Sequence, residues 1–177
     1  EFRRVLFRSD LICRLFLNPG DVVLIDDPCY FNFHALLKVH KVETIAVPFT
    51  AQGPDIAAFQ AALAKRPRLY ITNAGIHNPT GASLSISTAY QILKLAEAAQ
   101  LIIIEDDIFA DLELIPAPRY AALNGFHQVI QIGSFSKTLS ASIRCGYIAA
   151  KPEWVERLID LKIATCFNSN HLNTEII

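Results

Sequence analysis

The sequence predicts an α/β fold of three layers, in which a mainly parallel sheet is flanked by helices. Short continuous apolar runs alternate along the chain with longer segments whose apolar residues recur at helical spacing. Polar clusters follow several of these runs directly, as is typical of ligand sites at the carboxyl ends of parallel strands. A sheet buried on both faces also agrees with 52% hydrophobic residues and a mean hydropathy of +0.31.

The predicted strands are six short apolar runs. Each has four or five residues, and Val22–Ile25 is apolar throughout, as is typical of strands that are buried on both faces. In chain order they are Val22–Ile25, Thr44–Val47, Leu69–Thr72, Leu101–Ile104, Val129–Ile132 and Cys145–Ala149.

Helices are predicted between the strands from caps and from apolar spacing. Asp55 and Ser85 are expected N-caps, because their side-chain oxygens can accept from free backbone N–H groups, and Pro152 suits a first helical position. The predicted helices are one that ends with Leu11, Ile12, Leu15 and Phe16, one over Phe33–Val39, one after Asp55 with Ile56, Phe59 and Leu63 on one face, one after Ser85 with Ile86, Tyr90, Leu93 and Ala96 facing inward, and one from Pro152 that carries Trp154, Leu158 and Leu161.

Composition excludes several classes of function for this segment. A net charge of −1 and a pI near 6.6 argue against a nucleic-acid or anionic-membrane surface. No apolar run approaches the roughly 18–20 residues of a membrane span, and no secretory signal is evident. Four cysteines without metal-ligand spacing are predicted to be reduced thiols in a cytoplasmic protein: Cys13, Cys29, Cys145 and Cys166.

Both ends of the chain are expected to be cut. Residues 1–9 form a basic and apolar run without a clear period, and Val5–Ser9 is a peptide that a common sequencing adapter encodes. The chain stops inside a predicted helix. We therefore expect residues 1–9 to be foreign or disordered, and residues 10–177 to be part of a single domain truncated at both ends.

Four side chains of different chemistry follow successive predicted strands. Tyr30 offers an aromatic face, Asn78 a neutral hydrogen-bonding group, Asp106 a carboxylate and Lys137 an amine. Because the carboxyl ends of parallel strands meet at one edge of a sheet, we expect these groups to lie close together.

The loop that carries Lys137 also offers groups that bind anions. Ser134 and Ser136 supply hydroxyls, and Arg144 supplies a cation. Together with the four strand-end residues they match pyridoxal 5′-phosphate (PLP). The aldehyde of this cofactor reacts with a lysine, its pyridine nitrogen needs a carboxylate to stay protonated, and its phosphate needs cations and hydroxyls.

The motifs jointly resemble the class I/II aminotransferases of PLP fold type I. They occur in the family's order and approximate spacing, and the resemblance runs from about residue 18 to the end. It implies the large, cofactor-binding domain of that fold. The motifs that carry it are Asn78-Pro79-Thr80-Gly81, Asp106, and Ser134-x-x-Lys137 followed by Arg144.

The resemblance implies a role for each site residue. Lys137 would be the catalytic Schiff-base lysine, which as a general base and acid also moves the α-proton of the substrate. The cofactor contacts would be Asp106 at the pyridine nitrogen, Asn78 at the phenolic oxygen, Tyr30 against the ring, and Arg144, Ser134 and Ser136 at the phosphate. The Asn78–Pro79 peptide bond would be cis.

Two functions follow from this resemblance. In the first, the full-length parent transfers an amino group from an amino acid to a 2-oxo acid and works as a homodimer. In the second, the chain is the PLP-binding effector domain of a MocR-type regulator, in which a winged helix-turn-helix DNA-binding domain precedes it. The loop sequences that are similar to MocR-type proteins are Glu105-Asp106-Asp107, Leu123-Asn124-Gly125 and Gly133–Leu139.

Three departures from the family pattern bear on activity. Ile108 and Phe109 occupy the positions where a tyrosine usually shares the phenolic-oxygen contact. The glycine-rich turn that supplies backbone amides to the phosphate would lie just upstream of Leu11. The small domain, with the arginine that binds the substrate carboxylate, is absent. We therefore expect this fragment alone to be inactive.

Other interpretations of the same residues stay open at this stage. Ser134 and Lys137 also match the S-x-x-K of β-lactamases, although the companion S-D-N and K-T-G motifs do not occur. Asp106, Asp107 and Asp111 resemble half of a magnesium site, without a second acidic cluster. We predict no metal site, and we expect Asp107 to be solvated or capping and His77 to be a solvated loop residue.

Overall fold

A mixed seven-stranded sheet forms the centre of the protein. The computed structural model describes residues 6–140 and 145–166. The strands are β1 (Val22–Asp27), β2 (Glu43–Thr50), β3 (Gly53–Pro54), β4 (Leu69–Thr72), β5 (Ile102–Asp106), β6 (Val129–Ser134) and β7 (Gly146–Ala149). Their order in the sheet is β3-β2-β1-β4-β5-β6-β7. The four pairs among β2, β1, β4, β5 and β6 are parallel, and β3 and β7 are antiparallel to their neighbours.

Helices cover both faces of this sheet. They are α1 (Phe7–Phe16), α2 (Asn32–Val39), α3 (Ile56–Ala62), α4 (Ile86–Ala99), α5 (Tyr120–Asn124) and α6 (Pro152–Cys166). One apolar core lies between the sheet and α1, α2 and α6, and a second lies between the sheet and α3, α4 and α5. The predicted three-layer α/β fold with a mainly parallel sheet is thereby confirmed.

The strand at the centre of the sheet shows why the apolar runs predict strands well. Every residue of β4 is buried, because helices cover both sides of the sheet at this point. β2 alternates between exposed and buried positions along its second half and runs from Glu43 to Thr50, longer than the predicted Thr44–Val47. Polar residues on its exposed face conceal its true length.

The predicted caps of α3 and α4 are confirmed. The Asp55 side chain accepts a hydrogen bond from the Ala58 N–H at 2.7 Å, and the Ser85 hydroxyl accepts from the Thr88 N–H at 3.1 Å. Each cap satisfies one of the backbone donors that a helix leaves free at its first turn. α6 begins at Pro152, as predicted.

The predicted inner face of α4 is wrong at two of its four positions. Ile86 and Tyr90 are 51% and 59% exposed, whereas the buried positions of this helix are Ala89, Ile92 and Ala96. A sequence with apolar residues at many positions allows two adjacent stripes at helical spacing. The stripe that packs against the sheet is the one that contains Ala89, Ile92 and Ala96.

Short helix α5 lies in a segment whose residues Pro116, Pro118 and Gly125 are more typical of a loop region. It holds five residues and ends at Gly125, whose φ of +62° is the left-handed conformation common after helices. A helix this short has too few turns to show a period.

Three further features bear on the sequence predictions. The Asn78–Pro79 peptide bond is cis, as expected, and so is Asp27–Pro28. Cys13, Cys29 and Cys145 are free thiols. Among the described residues, no helix has the length and hydropathy that a membrane crossing requires. The boundary predicted at Ser9 stays a prediction, since α1 runs without a break from Phe7.

Candidate functional site

The four predicted strand-end residues lie at one edge of the sheet, at or after the ends of four strands. β1, β4, β5 and β6 are consecutive parallel neighbours, so their carboxyl ends point the same way. Tyr30 follows β1, Asn78 follows β4, Asp106 is the last residue of β5, and Lys137 follows β6. The topology thus brings an aromatic ring, an amide, a carboxylate and an amine to one edge.

Asp106 is a buried carboxylate that retains one free oxygen. Its side chain is 8% exposed, and its Oδ1 has no hydrogen-bond partner among the described residues. Burial raises its pKa to about 6, although the nearby Arg8 cation and the Ile108 backbone N–H oppose that shift. A buried, unpaired carboxylate oxygen is costly, so this position suits a ligand that brings a cationic N–H donor.

Two residues that the sequence did not indicate lie beside Asp106. Asn73 donates from Nδ2 to the Asp106 carbonyl oxygen at 3.0 Å and so joins the end of β4 to the end of β5. The Arg8 guanidinium is largely buried, and this burial lowers its pKa while Asp106 raises it. It contacts the backbone of Gly146 so closely that a Cβ there would collide with it. Sequence reasoning set Arg8 aside with the run predicted to be foreign.

Lys137 is exposed in the loop between β6 and β7. Its Nζ lies 5.8 Å from the centroid of the Phe109 ring, within the range of a cation–π contact. Phe109 is one of the two positions, with Ile108, at which the resemblance leads us to expect a tyrosine. An apolar ring without a hydroxyl therefore faces this amine.

The two predicted anion-binding hydroxyls lie together at the start of that loop. Ser134 Oγ and Ser136 Oγ are 2.9 Å apart, and Ser134 Oγ also lies 3.3 Å from the Cys145 carbonyl oxygen. The Ser136 N–H donates to Ser134 Oγ at 3.3 Å. The paired hydroxyls are half-buried, where an anion could reach them. Arg144 lies outside the described residues.

Tyr30 is held by its neighbours in the turn before α2. Its hydroxyl accepts from Asn32 Nδ2 at 2.6 Å, and its ring makes edge contacts with the rings of Phe31 and Phe33 at centroid distances of 5.1 and 5.7 Å. The ring is therefore fixed in orientation at the edge of the sheet. Asn78 is half-buried in the loop after β4.

The prediction that His77 is a solvated loop residue is wrong. His77 is 1% exposed and stacks on Phe49, with ring centroids 3.7 Å apart. Its Nδ1 lies 2.8 Å from Thr80 Oγ1, and its Nε2 lies 3.4 Å from Asp26 Oδ2. The loop sequence alone gives no sign that β2 supplies a ring to cover it.

The prediction that Asp107 is solvated or capping is also wrong. Its Oδ1 pairs with Arg119 Nε at 2.8 Å, and its Oδ2 accepts from Gln131 Nε2 at 2.8 Å. Arg119 also pairs with Glu113 at 2.8 Å, so a buried cation lies between two carboxylates. Asp111 is exposed, and the described part of the chain contains no group of three or more potential metal ligands.

Glu105 is a fully buried carboxyl group that the sequence analysis did not single out. Its two oxygens accept from the backbone N–H groups of Tyr120 and Ala121 at 2.8 and 3.0 Å, at the start of α5. Burial nevertheless raises its pKa to about 7 from an ordinary value of 4.5. The folded protein therefore binds a proton at Glu105 more tightly than the unfolded chain does.

This raised pKa predicts that the free energy of unfolding increases as the pH falls from 8 to 5. Glu105 contributes up to about 3 kcal/mol to that rise, because the folded state takes up a proton near pH 7 and the unfolded state only near pH 4.5. We expect Glu105→Gln to flatten this part of the profile, measured by urea denaturation at several pH values. Glu97→Gln, at an exposed position of α4, is the control. Equal slopes of the free energy of unfolding against pH for wild type and Glu105→Gln would contradict the prediction.

Comparison with known proteins identifies the family. The profile of the family "Aminotransferase class I and II" matches residues 9–174. The chain belongs to this family. The match does not support the β-lactamase interpretation of Ser134 and Lys137.

Relatives of this aminotransferase-family chain include both enzymes and regulators. It is 28% identical over 174 residues to 2-aminoadipate transaminase of Thermus thermophilus, covering 95% of this chain and 44% of the relative. It is 33% identical over 170 residues to the HTH-type transcriptional regulator YdfD of Bacillus subtilis, covering 94% and 35%. The chain thus spans less than half the length of these relatives.

Superposition on a solved structure confirms the fold. LysN, the α-aminoadipate aminotransferase of Thermus thermophilus, was solved in complex with N-(5′-phosphopyridoxyl)-L-leucine. It is 28% identical and superimposes with a TM-score of 0.87, covering 94% of this chain and 44% of LysN. The fold predicted here, PLP fold type I, is therefore the fold of this protein.

Proposed function

We propose that the carboxyl edge of the sheet binds PLP, and that the full-length protein uses it to transfer an amino group from an amino acid to a 2-oxo acid. The observation that carries the proposal is the buried Asp106 carboxylate with its unpartnered Oδ1. It ends a central strand in a chain of the aminotransferase family. A buried carboxylate oxygen without a partner suits a cationic donor, and a pyridinium N–H is one.

When bound, PLP supplies an aldehyde that condenses with amines and a pyridinium ring that withdraws electrons from the substrate carbon. The protein's own contribution begins at Lys137. Its exposed Nζ would be the nucleophile that attacks the aldehyde. Once the amine of the substrate has replaced Nζ, the freed amine would take the α-proton of the substrate as a base and return it to the cofactor carbon as an acid. The Phe109 ring beside Nζ holds the amine without accepting its proton.

Asp106 determines the electronic state of the ring in this proposal. Its ionised carboxylate pairs with the pyridine N–H and keeps that nitrogen protonated. Without a ligand the carboxyl group has a pKa of about 6 because it is buried. A cation bound at Oδ1 would lower this pKa again, so cofactor binding and ionisation of Asp106 favour each other.

The remaining predicted residues bind and orient. Asn78 would hydrogen-bond the phenolic oxygen, and the fixed Tyr30 ring would stack on the pyridine ring. The paired hydroxyls of Ser134 and Ser136 would donate to the phosphate, together with Arg144. The loss of the family's tyrosine at Phe109 leaves Asn78 to hold the phenolic oxygen without that second donor.

Borohydride reduction of the full-length protein with PLP tests the assignment of Lys137. Reduction fixes the cofactor covalently to whichever amine holds it, so peptide mass spectrometry should find the label on Lys137. The same treatment without PLP is the control. A label on a different lysine would overturn the central assignment, and no label at all would overturn the cofactor proposal.

A second candidate function is that of a MocR-type regulator whose domain binds PLP to sense a metabolite. The observation that favours it is the 33% identity to YdfD over nearly the whole chain. A winged helix-turn-helix segment encoded upstream, with amino-acid turnover near background, would favour the regulator. Turnover at ordinary enzymatic rates would favour the enzyme.

Three further parts of this proposal concern the whole protein. Residues 10–177 are taken as part of a large domain, with residues 1–9 foreign to it. The full-length protein is proposed to be a homodimer, which gel filtration with light scattering would test. The free thiols of Cys13, Cys29 and Cys145 support a reducing, cytoplasmic environment.

A further inference from the structure

The loop after β4 turns tightly around His77. The His77 backbone N–H donates to the Ala82 carbonyl at 2.9 Å, and the Gly81 N–H donates to the His77 carbonyl at 2.7 Å. Asn78 lies inside the turn that these two bonds close. The direction of its side chain therefore depends on a backbone that His77 holds at both ends.

The His77 ring is bound on every side by a different element. Phe49 of β2 stacks on its face at a centroid distance of 3.7 Å, and Thr80 Oγ1 lies 2.8 Å from Nδ1. Asp26, at the end of β1, places Oδ2 at 3.4 Å from Nε2 with both side chains fully buried. The ring thus links the turn that contains Asn78 to two neighbouring strands.

The polar neighbours of the His77 ring hold it on two sides. Nδ1 and the Thr80 hydroxyl share a hydrogen bond, and the Thr80 oxygen also accepts from the Ala82 N–H at 3.2 Å. On the other side, the Asp26 Oδ1 accepts the Tyr70 hydroxyl, while Oδ2 faces Nε2 in a close polar contact in which Nε2 has no hydrogen-bond partner among the described residues. Hydrogen bonds therefore join the turn to the ring, and this contact joins the ring to β1.

The Asn78 side chain is left available by this arrangement. It makes no hydrogen bond to another described residue, although it is half-buried at the carboxyl edge of the sheet. The backbone of the turn sets the direction of the Asn78 Cα–Cβ bond and the position from which the amide reaches out. What fixes the turn therefore limits where the amide can point.

We propose that His77, held between Asp26 and Thr80, is the positioning residue that orients the Asn78 amide toward the phenolic oxygen of bound PLP. This inference rests on the proposed function of the site. His77 does not touch the cofactor in this arrangement and acts through Asn78. Removing the His77 ring should therefore have the same kind of effect on bound PLP as removing the Asn78 amide. It should have no further effect in a protein that already lacks the Asn78 amide.

The test is a double-mutant cycle on the full-length protein with PLP. A hydrogen bond to the phenolic oxygen favours its deprotonated form, so Asn78→Ala should raise the pH midpoint of the visible absorption change of bound PLP. We expect His77→Leu to raise that midpoint in the same direction. It should also weaken PLP binding about five- to tenfold, the worth of one hydrogen bond. In the Asn78→Ala background, His77→Leu should change neither quantity further.

Three other variants separate positioning from loss of folding. His77→Gln keeps a donor that can reach toward Asp26 and should restore part of the effect. Thr80→Val removes only the hydroxyl that faces Nδ1 on an exposed residue, and should shift the midpoint even if His77→Leu does not fold. Asp55→Ala removes the side-chain cap of α3, a hydrogen bond that does not involve the His77 ring, and should lower the melting temperature without moving the midpoint.

The outcomes distinguish this inference from the proposed function. If wild type binds PLP through Lys137 and Asn78→Ala moves the midpoint, but neither His77→Leu nor Thr80→Val does, the positioning role is overturned. Additive effects of His77→Leu and Asn78→Ala would overturn it as well. If wild type neither binds PLP nor becomes labelled at Lys137, the proposed function itself fails.

Discussion

Lys137→Ala in the full-length protein should lower the rate of transamination by about 10²- to 10⁴-fold, the range that a positioned acid–base group typically supplies. The variant loses both the nucleophile for the aldehyde and the base that moves the α-proton. PLP should still bind through Asp106 and the serine hydroxyls, but without a covalent bond. Single-turnover kinetics with an amino acid, read from the absorption of PLP, would measure the loss.

Lys94→Ala is the matched control for this prediction. Lys94 is a lysine on α4, away from the carboxyl edge of the sheet, and its loss should leave the rate unchanged. Added methylamine should restore part of the activity of Lys137→Ala, since a free amine can move the same proton. A Lys137→Ala protein with wild-type turnover would eliminate Lys137 as the catalytic base.

Arg119→Met should lower the free energy of unfolding by about 3–5 kcal/mol, the usual cost of removing one partner of a buried ion pair. Its side chain is only 13% exposed and lies between the carboxylates of Asp107 and Glu113, at 2.8 Å from each. Methionine keeps the apolar stem but leaves both acids buried without a cation. Since a domain is stable by only roughly 5–15 kcal/mol in total, urea denaturation should show this loss clearly.

Arg14→Met provides the comparison at the surface. Arg14 pairs with Asp10 one helical turn away at the same 2.8 Å, but it is 50% exposed, so its loss should cost less than about 1 kcal/mol. Combining Arg119→Met with Asp107→Asn should recover part of the stability, because one buried charge is then removed. Equal effects of Arg119→Met and Arg14→Met would show that burial adds nothing to the first pair.

The layered fold and the placement of four side chains at one edge of the sheet could be predicted because they depend on local patterns. Apolar runs such as Leu101–Ile104 are long enough to mark buried strands, and the residue that follows each run is placed at the sheet edge by the topology alone. The caps Asp55 and Ser85 were equally accessible, since a cap acts on a residue three positions away. Family motifs then connected these positions to one cofactor.

What the sequence could not predict depends on contacts between distant segments. His77 is buried because Phe49, 28 positions earlier, stacks on it. Asp107 is buried because Arg119 reaches it from a later loop and Gln131 reaches it from β6. Neither contact leaves a trace in the residues around the histidine or the aspartate. The buried face of α4 could not be predicted for a different reason. Its apolar residues allow two adjacent faces at helical spacing, and only the packing in the folded protein distinguishes them.

The distribution of the site over β1, β4, β5 and β6 has a consequence for folding. Parallel neighbours are joined only through crossovers, so every pairing that assembles the carboxyl edge is between segments far apart in sequence. Asp106, Asn78 and Lys137 therefore meet only after the central sheet is complete. A ligand at this edge stabilises the native state by about 2.7 kcal/mol when its concentration is a hundred times its Kd. It does not assist the earlier stages of folding. Supplying cofactor should slow unfolding of the finished protein while leaving the rate of its first folding steps unchanged.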